Sequence, residues 1–351
     1  MRYIGVDVGK KRCQACIMDE QGGVVDEFLF ENTFEGIRRL LERVPDRACK
    51  AVLESTGNLW LRIYEALEEQ GVEVKLANPY KTKAIAEARI KTDKLSARIL
   101  AHLLRADLVA ECYVAPGEVR RVRALLRQRS SLVRMRTMVK NRVHALLDRY
   151  GYRSKWSDLF GVGGMRWLRG LEMDPVDRCI LDTHLRHVEC LNEEIGVLDS
   201  RIASHAMESE DALLLMTMTG IDYYGAMLIA CEIGEIRRFS SPKRFVSWMG
   251  LCPSLYQSGS SLYVGRMKKD SNGMVRWMLV QAARSASQTD PRMRRLYERV
   301  ASRRGDGKAV VRVANKMATI IWHMLTKRKP YQQVKKELYR SKLKRMARIA
   351  G

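Results

Sequence analysis

The chain has 351 residues, of which 46% are hydrophobic, so it can form two or three domains with their own cores and wholesale disorder is excluded. Its 63 Lys and Arg outnumber its 40 Asp and Glu, and the net charge of +23 favours a polyanionic partner, with nucleic acid the leading candidate. No apolar run approaches the length of a spanning helix and the N-terminus lacks a signal-peptide pattern, so we expect a cytoplasmic, nucleoid-associated prokaryotic protein without a membrane partner.

Three consecutive strands are predicted at the N-terminus, over residues 3–8, 12–18 and 24–30, and a Gln-Gly-Gly turn joins the last two. The elements predicted next are a helix over 34–44, a strand over 49–53, a helix over 58–70, a strand over 72–76 and a helix over 81–106. This order is typical of the ribonuclease H fold. We therefore predict a ribonuclease-H-like α/β domain over residues 1–110.

A long basic helix is predicted over 118–155, where twelve Lys or Arg accompany two acids and apolar residues recur every seven positions. A second apolar seam follows Pro175. We predict a helical hairpin or coiled coil over 115–207 that serves oligomerisation and nucleic-acid binding, the alternative being a helix pair within one chain. Four cations of the first helix are candidate phosphate contacts: Arg121, Arg127, Arg134 and Lys140.

The C-terminal region is predicted to be mainly helical, giving an overall class of α/β plus all-α. Two helical patterns around Gly220 resemble a helix-hairpin-helix motif, whose turn amides can hold a phosphate. Further helix is predicted over 273–327. We assign residues 210–330 to a C-terminal domain and 331–351 to a basic tail that suits phosphate contact or a solvated face.

Two acids end neighbouring strands of the predicted sheet. Asp7 closes the first strand and Glu54 closes the fourth, and each is followed two or three residues later by a glycine. Converging carboxylates repel one another unless a cation neutralises them, and Mg²⁺ prefers such oxygen ligands. Either acid alone is as well explained by a solvated strand end, but the pair on this strand order predicts a metal site.

A third acid, Asp93, lies at the start of the last helix of this domain, which we expect to pack on the sheet through Leu95, Ile99 and Leu103. Three carboxylates at one edge can hold divalent metals that assist phosphodiester displacement. One helical turn further on, where a fourth acid is expected, the sequence has Ser96.

Six linked motifs resemble those of one family. They are GVDVGK, VLESTG and KTDKLSAR in the N-terminal half, and TGIDYYGAMLIACEIG, SPKRFVSWMGLCPSLYQSG and RWMLVQAA in the C-terminal half. The sequence resembles the DEDD transposases of bacterial and archaeal insertion sequences, which are related to the Piv DNA invertase. The resemblance covers almost the whole chain and implies a RuvC-like N-terminal domain followed by a serine-bearing transposase domain.

The resemblance assigns catalytic and metal-binding roles to Asp7, Glu54 and Asp93. The family's fourth acid falls on Ser96, a weak neutral ligand, so one metal site binds less tightly, recruits another acid such as Asp107, or is lost.

The family's nucleophilic serine falls on Ser258, with Ser260 and Ser261 as adjacent alternatives. Cations placed to neutralise the scissile phosphate are Arg266, Lys268, Lys269 and Arg276.

The implied reaction is Mg²⁺-dependent strand exchange through a covalent phosphoserine, with double-stranded donor and target DNA as substrates. The resemblance further implies dimers or tetramers, in some of which one subunit's carboxylate domain is paired with another's serine. It also implies a structured guide RNA, which the basic helix suits because backbone recognition requires positive charge.

Three alternatives remain open. A RuvC-like nuclease would hydrolyse DNA junctions with water, and Ser258 would then have no catalytic role. A decayed copy, suggested by Ser96, would bind RNA or DNA without cutting. A sugar-kinase or actin-like ATPase also begins with an IGxDxG strand, but it needs a second phosphate-binding Asp-Gly turn after a strand, and the later Asp306-Gly307 lies in a basic stretch.

Overall fold

The structure is a computed structural model that describes residues 1–44, 48–85, 92–259, 261–267 and 271–351, without the side chains of Leu255, Leu262 and Arg266. The chain forms two compact units, residues 1–115 and 116–351. The second unit contains both the predicted middle region and the predicted C-terminal domain. Among the described residues, no helix combines the length and the apolar character needed to cross a membrane.

The first unit is built on one sheet. Its strands are β1 (Arg2–Asp7), β2 (Arg12–Met18), β3 (Val24–Glu31), β4 (Cys49–Glu54) and β5 (Glu73–Ala77). They lie in the order β3-β2-β1-β4-β5, with β1 antiparallel to β2 and parallel to β4. The predicted meander and the adjacency of the first and fourth strands are confirmed, and the order is consistent with a ribonuclease-H-like domain.

Helices cover both faces of this sheet. The helices of this unit are α1 (Phe34–Arg43), α2 (Leu61–Glu69), α3 (Pro79–Ile85), which buries none of its residues, and α4 (Asp93–Arg105). One face packs α1 and α2 through a core that includes Ile4, Leu40 and Leu67. The single helix predicted over 81–106 is wrong, because Thr92 has an extended backbone and its hydroxyl accepts a hydrogen bond from the Leu95 amide at 3.2 Å, so that a new helix begins after it.

The other face packs α4, through a different stripe from the one predicted. The expected contacts of Leu95 and Ile99 with the sheet are wrong, since both side chains are half-buried and lie outside the apolar clusters. The residues packed on the sheet are instead Ala97, Leu100, Ala101 and Leu104. Small residues are required here because the helix backbone lies directly on Gly5, which has no side chain.

The second unit begins with two long helices joined by a short one: α5 (Gly117–Arg149), α6 (Val162–Arg169) and α7 (Pro175–Glu208). α5 packs along α7, as the predicted helical hairpin requires. Val143 and Leu185 share a small core at one end of the pair, while Val122 and Ile202 belong to the main core at the other. The pairing lies within one chain, and assembly between chains stays a prediction.

The remaining elements of the second unit surround one large core. They are α8 (Glu210–Met216), α9 (Tyr223–Ile233), α10 (Pro242–Trp248), β6 (Pro253–Ser258), β7 (Ser261–Met267), α11 (Gly273–Thr289), α12 (Pro291–Arg304), α13 (Asp306–Lys327) and α14 (Lys336–Ala350). Every residue of α9 is buried. The helical segment predicted over 273–327 is three helices, because Pro291 and Gly305, with φ +81°, interrupt it.

Two predicted nucleic-acid features are involved in internal packing. The turn between α8 and α9 contains Gly220 at φ +87°, where an added Cβ would lie 2.4 Å from the Ala282 carbonyl oxygen, so this turn packs on α11. Phosphate binding there stays a prediction. The predicted basic tail folds as α14 and packs on α7, with Tyr331 and Met346 buried.

Candidate functional site

Asp7 and Glu54 end two adjacent parallel strands. The pairing of β1 with β4 runs from Arg2 opposite Cys49 to Val6 opposite Leu53, and each acid follows its strand's last pair. Neighbouring strands are about 4.8 Å apart. The backbones that carry the two acids are therefore adjacent, and both residues are half-buried.

Both side chains project from the sheet face that α4 covers. Alternate residues of a strand share a face, so Asp7 points the same way as Gly5, and Glu54 the same way as Val52. A Cβ on Gly5 would meet the Ala97 carbonyl oxygen of α4, and Val52 shares an apolar cluster with Leu100 of that helix.

The N-terminus of α4 lies at the same edge of the sheet as these acids. At the other end of the helix, Arg105 donates to the Glu20 carbonyl oxygen, and Glu20 pairs with the Met1 amino group beside the start of β1. The helix thus runs opposite to β1, and Asp93, one turn before Ala97, is directed towards the end of β1. Asp93 is exposed and Ser96 is half-buried.

Glu27 of β3 fixes this end of α4 to the sheet, and sequence reasoning missed it. Its carboxylate, 10% exposed, pairs with Lys94 at 3.0 Å and with both the Nε and the Nη2 of Arg98. These hydrogen bonds lower the pKa of Glu27 to about 2. A signal was available, since an acid on the sheet face and cations four apart on the helix that covers it are complementary.

Asp107, which the sequence offers as a replacement for the missing fourth acid, lies too far from the other acids. It follows the C-terminal end of α4, about 21 Å along the helix from Asp93 at 1.5 Å per residue, and its carboxylate pairs with Lys75 at 3.1 Å. It therefore belongs to the opposite end of the sheet and is not available as the fourth ligand.

No group of three or more His, Cys, Asp or Glu side chains within the described ranges is close enough to hold a metal ion. The structure brings Asp7 and Glu54 together and directs Asp93 to the same edge, while a three-carboxylate metal site stays a prediction. The Glu54 carboxylate makes no hydrogen bond or salt bridge with the described part of the chain. A half-buried carboxylate in that state favours a bound cation.

Ser258 lies next to the tip of a β-hairpin that the sequence did not predict. It ends β6 opposite Ser261 of β7, and Gly259, at φ +56°, begins the turn. Ser258 and Ser261 are exposed, and Ser260 lies outside the described residues. Tyr256 and Tyr263 form an exposed cross-strand pair on the face that carries Ser258, with ring centroids 6.5 Å apart.

The predicted phosphate contacts of α5 differ in what they touch. Arg121 is paired with Glu118, Arg134 lies beside Ser130, and Lys140 lies 4.4 Å from the centre of the Phe160 ring. Burial lowers the pKa of Lys140, with a contribution from nearby Arg136. Of these cations, Arg134 is the most available to a phosphate.

Arg127 has a structural partner. Its guanidinium donates to the buried Glu232 carboxylate at 2.9 Å, and the same carboxylate accepts from the Asn272 side chain at 2.8 Å and forms an ion pair with Arg123 at 4.0 Å. Asn272 caps α11 by accepting from the Val275 amide. This network ties α5, α9 and α11 together and occupies Arg127.

The predicted cations after Ser258 are described in part. Arg276 is on α11, where it donates to Ser271 at 3.4 Å. The backbone of Arg266 belongs to β7, and Lys268 and Lys269 lie outside the described residues.

Comparisons with known proteins match both units. The family model DEDD_Tnp_IS110, described as a transposase, matches residues 4–152, and the model of the transposase IS116/IS110/IS902 family matches residues 212–298. The transposase for insertion sequence element IS1111A of Coxiella burnetii is 26% identical over 95% of this chain and 92% of its own length. A probable family 20 transposase of Pseudomonas aeruginosa is 25% identical over 94% and 98%, and the transposase for insertion sequence element IS1328 of Yersinia enterocolitica is 24% identical over 92% and 96%.

Proposed function

Because the chain belongs to the IS110 family of DEDD insertion-sequence transposases, we propose that it exchanges DNA strands through Ser258 with the help of Asp7, Glu54 and Asp93. The observation that carries the proposal is the placement of Asp7 and Glu54 at adjacent strand ends, on the face and at the edge where α4 begins. Such convergence of acids costs stability unless a bound cation neutralises them.

The donor chemistry of this edge fits Mg²⁺. Carboxylate oxygens are its preferred protein ligands, and Glu54 is half-buried without a partner among the described residues. A bound divalent cation supplies charge neutralisation at a reacting phosphate. Asp7 and Glu54 would hold it from the strand ends and Asp93 from α4, with Ser96 adding a neutral hydroxyl.

The role proposed for Ser258 is nucleophilic. Its hydroxyl oxygen attacks a phosphodiester phosphorus, the new O–P bond forms, and the bond from phosphorus to one sugar oxygen breaks. The serine proton is lost and the departing sugar oxygen gains one. A sugar hydroxyl of a second strand then attacks the same phosphorus, the bond from phosphorus to the Ser258 oxygen breaks, and the serine oxygen regains a proton as the attacking hydroxyl loses one. The strands are thus joined without net hydrolysis.

The test is covalent capture on labelled donor DNA in Mg²⁺, with the adduct detected after denaturation. We expect Ser258→Ala to abolish the adduct, and the matched variant Ser261→Ala, on the facing strand, to retain it. Asp7→Asn and Glu54→Gln are expected to remove both adduct and cleavage. Cleavage by Ser258→Ala without an adduct would contradict the proposal and support the hydrolytic nuclease.

We also propose a structured RNA guide, together with dimeric or tetrameric assembly. The support is the family and the positive charge of α5, on which Arg134 is exposed. Purification from cells that carry the native flanking DNA, followed by sequencing of bound RNA, tests the guide. If no defined RNA copurifies with the protein, the guide proposal is contradicted. The mass of the RNA-bound protein tests the proposed dimer or tetramer.

A further inference from the structure

A basic groove runs between α12 and α13. Two adjoining clefts of about 1090 and 390 Å³ form it, and Arg299 and Arg312 line both. Cations repeat at four-residue intervals on each helix: Arg295, Arg299 and Arg303 on α12 and Lys308, Arg312 and Lys316 on α13. At this interval side chains share one helix face, so two basic rows line one groove.

This charge is not neutralised by the part of the chain that the structure describes. Over the described ranges none of the six cations forms a salt bridge, and the described residues that line the two clefts include no acid. Five of the six are exposed, and Lys316 is half-buried. Like charges four apart on a helix destabilise it, so an unneutralised double row indicates a polyanionic ligand.

The base of the Ser258 hairpin lines the same groove. Pro253 and Met267, which pair across β6 and β7, line the larger cleft together with Gly265. From Pro253 the strand extends five residues to Ser258, or about 17 Å at 3.4 Å per residue. A nucleic-acid strand spans this distance with about five nucleotides at ~3.4 Å each.

We propose that the basic groove binds the phosphodiester backbone of the DNA about five nucleotides from the phosphate that Ser258 attacks. The inference rests on the proposed function. DNA is the expected occupant because the hairpin whose base lines the groove also carries Ser258. The cations contact backbone phosphates, so this surface contributes affinity and placement of the strand and no base specificity.

The test is equilibrium binding of the full chain to a labelled 30-base-pair duplex across a salt series without divalent metal. We expect Arg299→Gln/Arg312→Gln to weaken binding about tenfold or more at low salt and to reduce the slope of log affinity against log salt by about 2. The matched control is Arg38→Gln/Arg39→Gln, which removes two exposed cations of α1 and is expected to leave the slope unchanged.

A hairpin RNA of similar length distinguishes the two nucleic acids. A larger loss on DNA than on RNA supports the proposal, and an equal or larger loss on RNA, or an unchanged DNA slope, overturns it. If the double variant is unstable, Lys308→Gln, at an exposed position in the first turn of α13, is expected to reduce the DNA slope by about 1. No reaction occurs in this assay. The binding result can therefore be interpreted even if Ser258 forms no covalent adduct with DNA.

Discussion

Gly5 of β1 and Ala97 of α4 are in backbone contact: a Cβ added to Gly5 would lie 2.1 Å from the Ala97 carbonyl oxygen and 2.5 Å from the Ala101 amide nitrogen. The contact fixes the height of α4 above the sheet. Asp7 lies two residues beyond Gly5, and Asp93 one turn before Ala97. The approach of strand and helix thus determines how closely these acids can meet.

Gly5→Ala should force α4 away from β1. We expect a loss of about 1–3 kcal/mol in the free energy of unfolding, as for other overpacked cores, and a loss of DNA cleavage, since Asp93 moves with the helix. Urea unfolding and a cleavage assay measure the two effects. The control is Gly196→Ala on α7, where a Cβ meets nothing within 4 Å, and cleavage by Gly5→Ala at the wild-type rate would contradict the account.

Glu27→Gln should loosen the start of α4. We expect a loss of about 1–2 kcal/mol at pH 7, since Gln keeps one acceptor and both cations are partly exposed. Glu42→Gln, which removes the exposed pair with Arg38, should change stability by less than about 0.5 kcal/mol.

The advantage of Glu27 over Gln should also depend on pH. The folded pKa of Glu27 is lowered from 4.5 to about 2, so its stabilisation is complete above pH 4.5 and is lost as the pH falls towards 2. Acid titration of both proteins measures this difference. A difference that stays constant down to pH 2 would show that the ion pairs are not its source.

Lys342→Met should remove the pH dependence that Lys342 of α14 gives to the stability of the protein. Burial lowers the pKa of Lys342 from 10.5 to about 8, while its Nζ donates to the Met216 and Met218 carbonyl oxygens at 2.8 Å. Between pH 8 and 10.5 the unfolded chain binds more protons there than the folded one, so the wild type gains stability with rising pH. We expect its stability relative to Lys342→Met to rise by about 2 kcal/mol from pH 7.5 to 9.5.

The control for this prediction is Lys344→Met, at an exposed position on the same helix. Its stability difference from the wild type should not vary with pH. Chemical unfolding at the two pH values provides all three comparisons. A wild-type advantage over Lys342→Met that does not change with pH would mean that the folded lysine is not destabilised in its charged form.

Ser96→Asp should strengthen divalent-cation binding, because it places a fourth carboxylate one helical turn from Asp93. We expect the Mg²⁺ concentration needed for half-maximal cleavage to fall on the order of tenfold. Ser96→Asn has the same shape without the charge, and it should not produce this shift. Equal behaviour of the two variants would place position 96 outside the metal site.

The two acids and their strands follow from local sequence. Short apolar runs in β1 and β4 define strands whose ends are Asp7 and Glu54, and the element order predicts that these strands are neighbours. The hairpin of Ser258 was not predicted because most of its described side chains are exposed, so the sequence of β6 and β7 lacks a strong apolar pattern. The cap at Thr92 was present in the sequence but was obscured by apolar spacing that continues across it.

The sequence by itself determined the family, the sheet order and the acids at its edge, because hydrophobic periodicity and chain order are local properties. Tertiary structure decided which face of α4 meets the sheet, since the absent side chain of Gly5 favours Ala97 and Ala101 over the larger Leu95 and Ile99. It also decided which basic side chains are available to bind nucleic acid. Arg127 is paired with Glu232, while the cations of the rows on α12 and α13 form no salt bridge with the described residues. This difference depends on contacts between residues far apart in the chain.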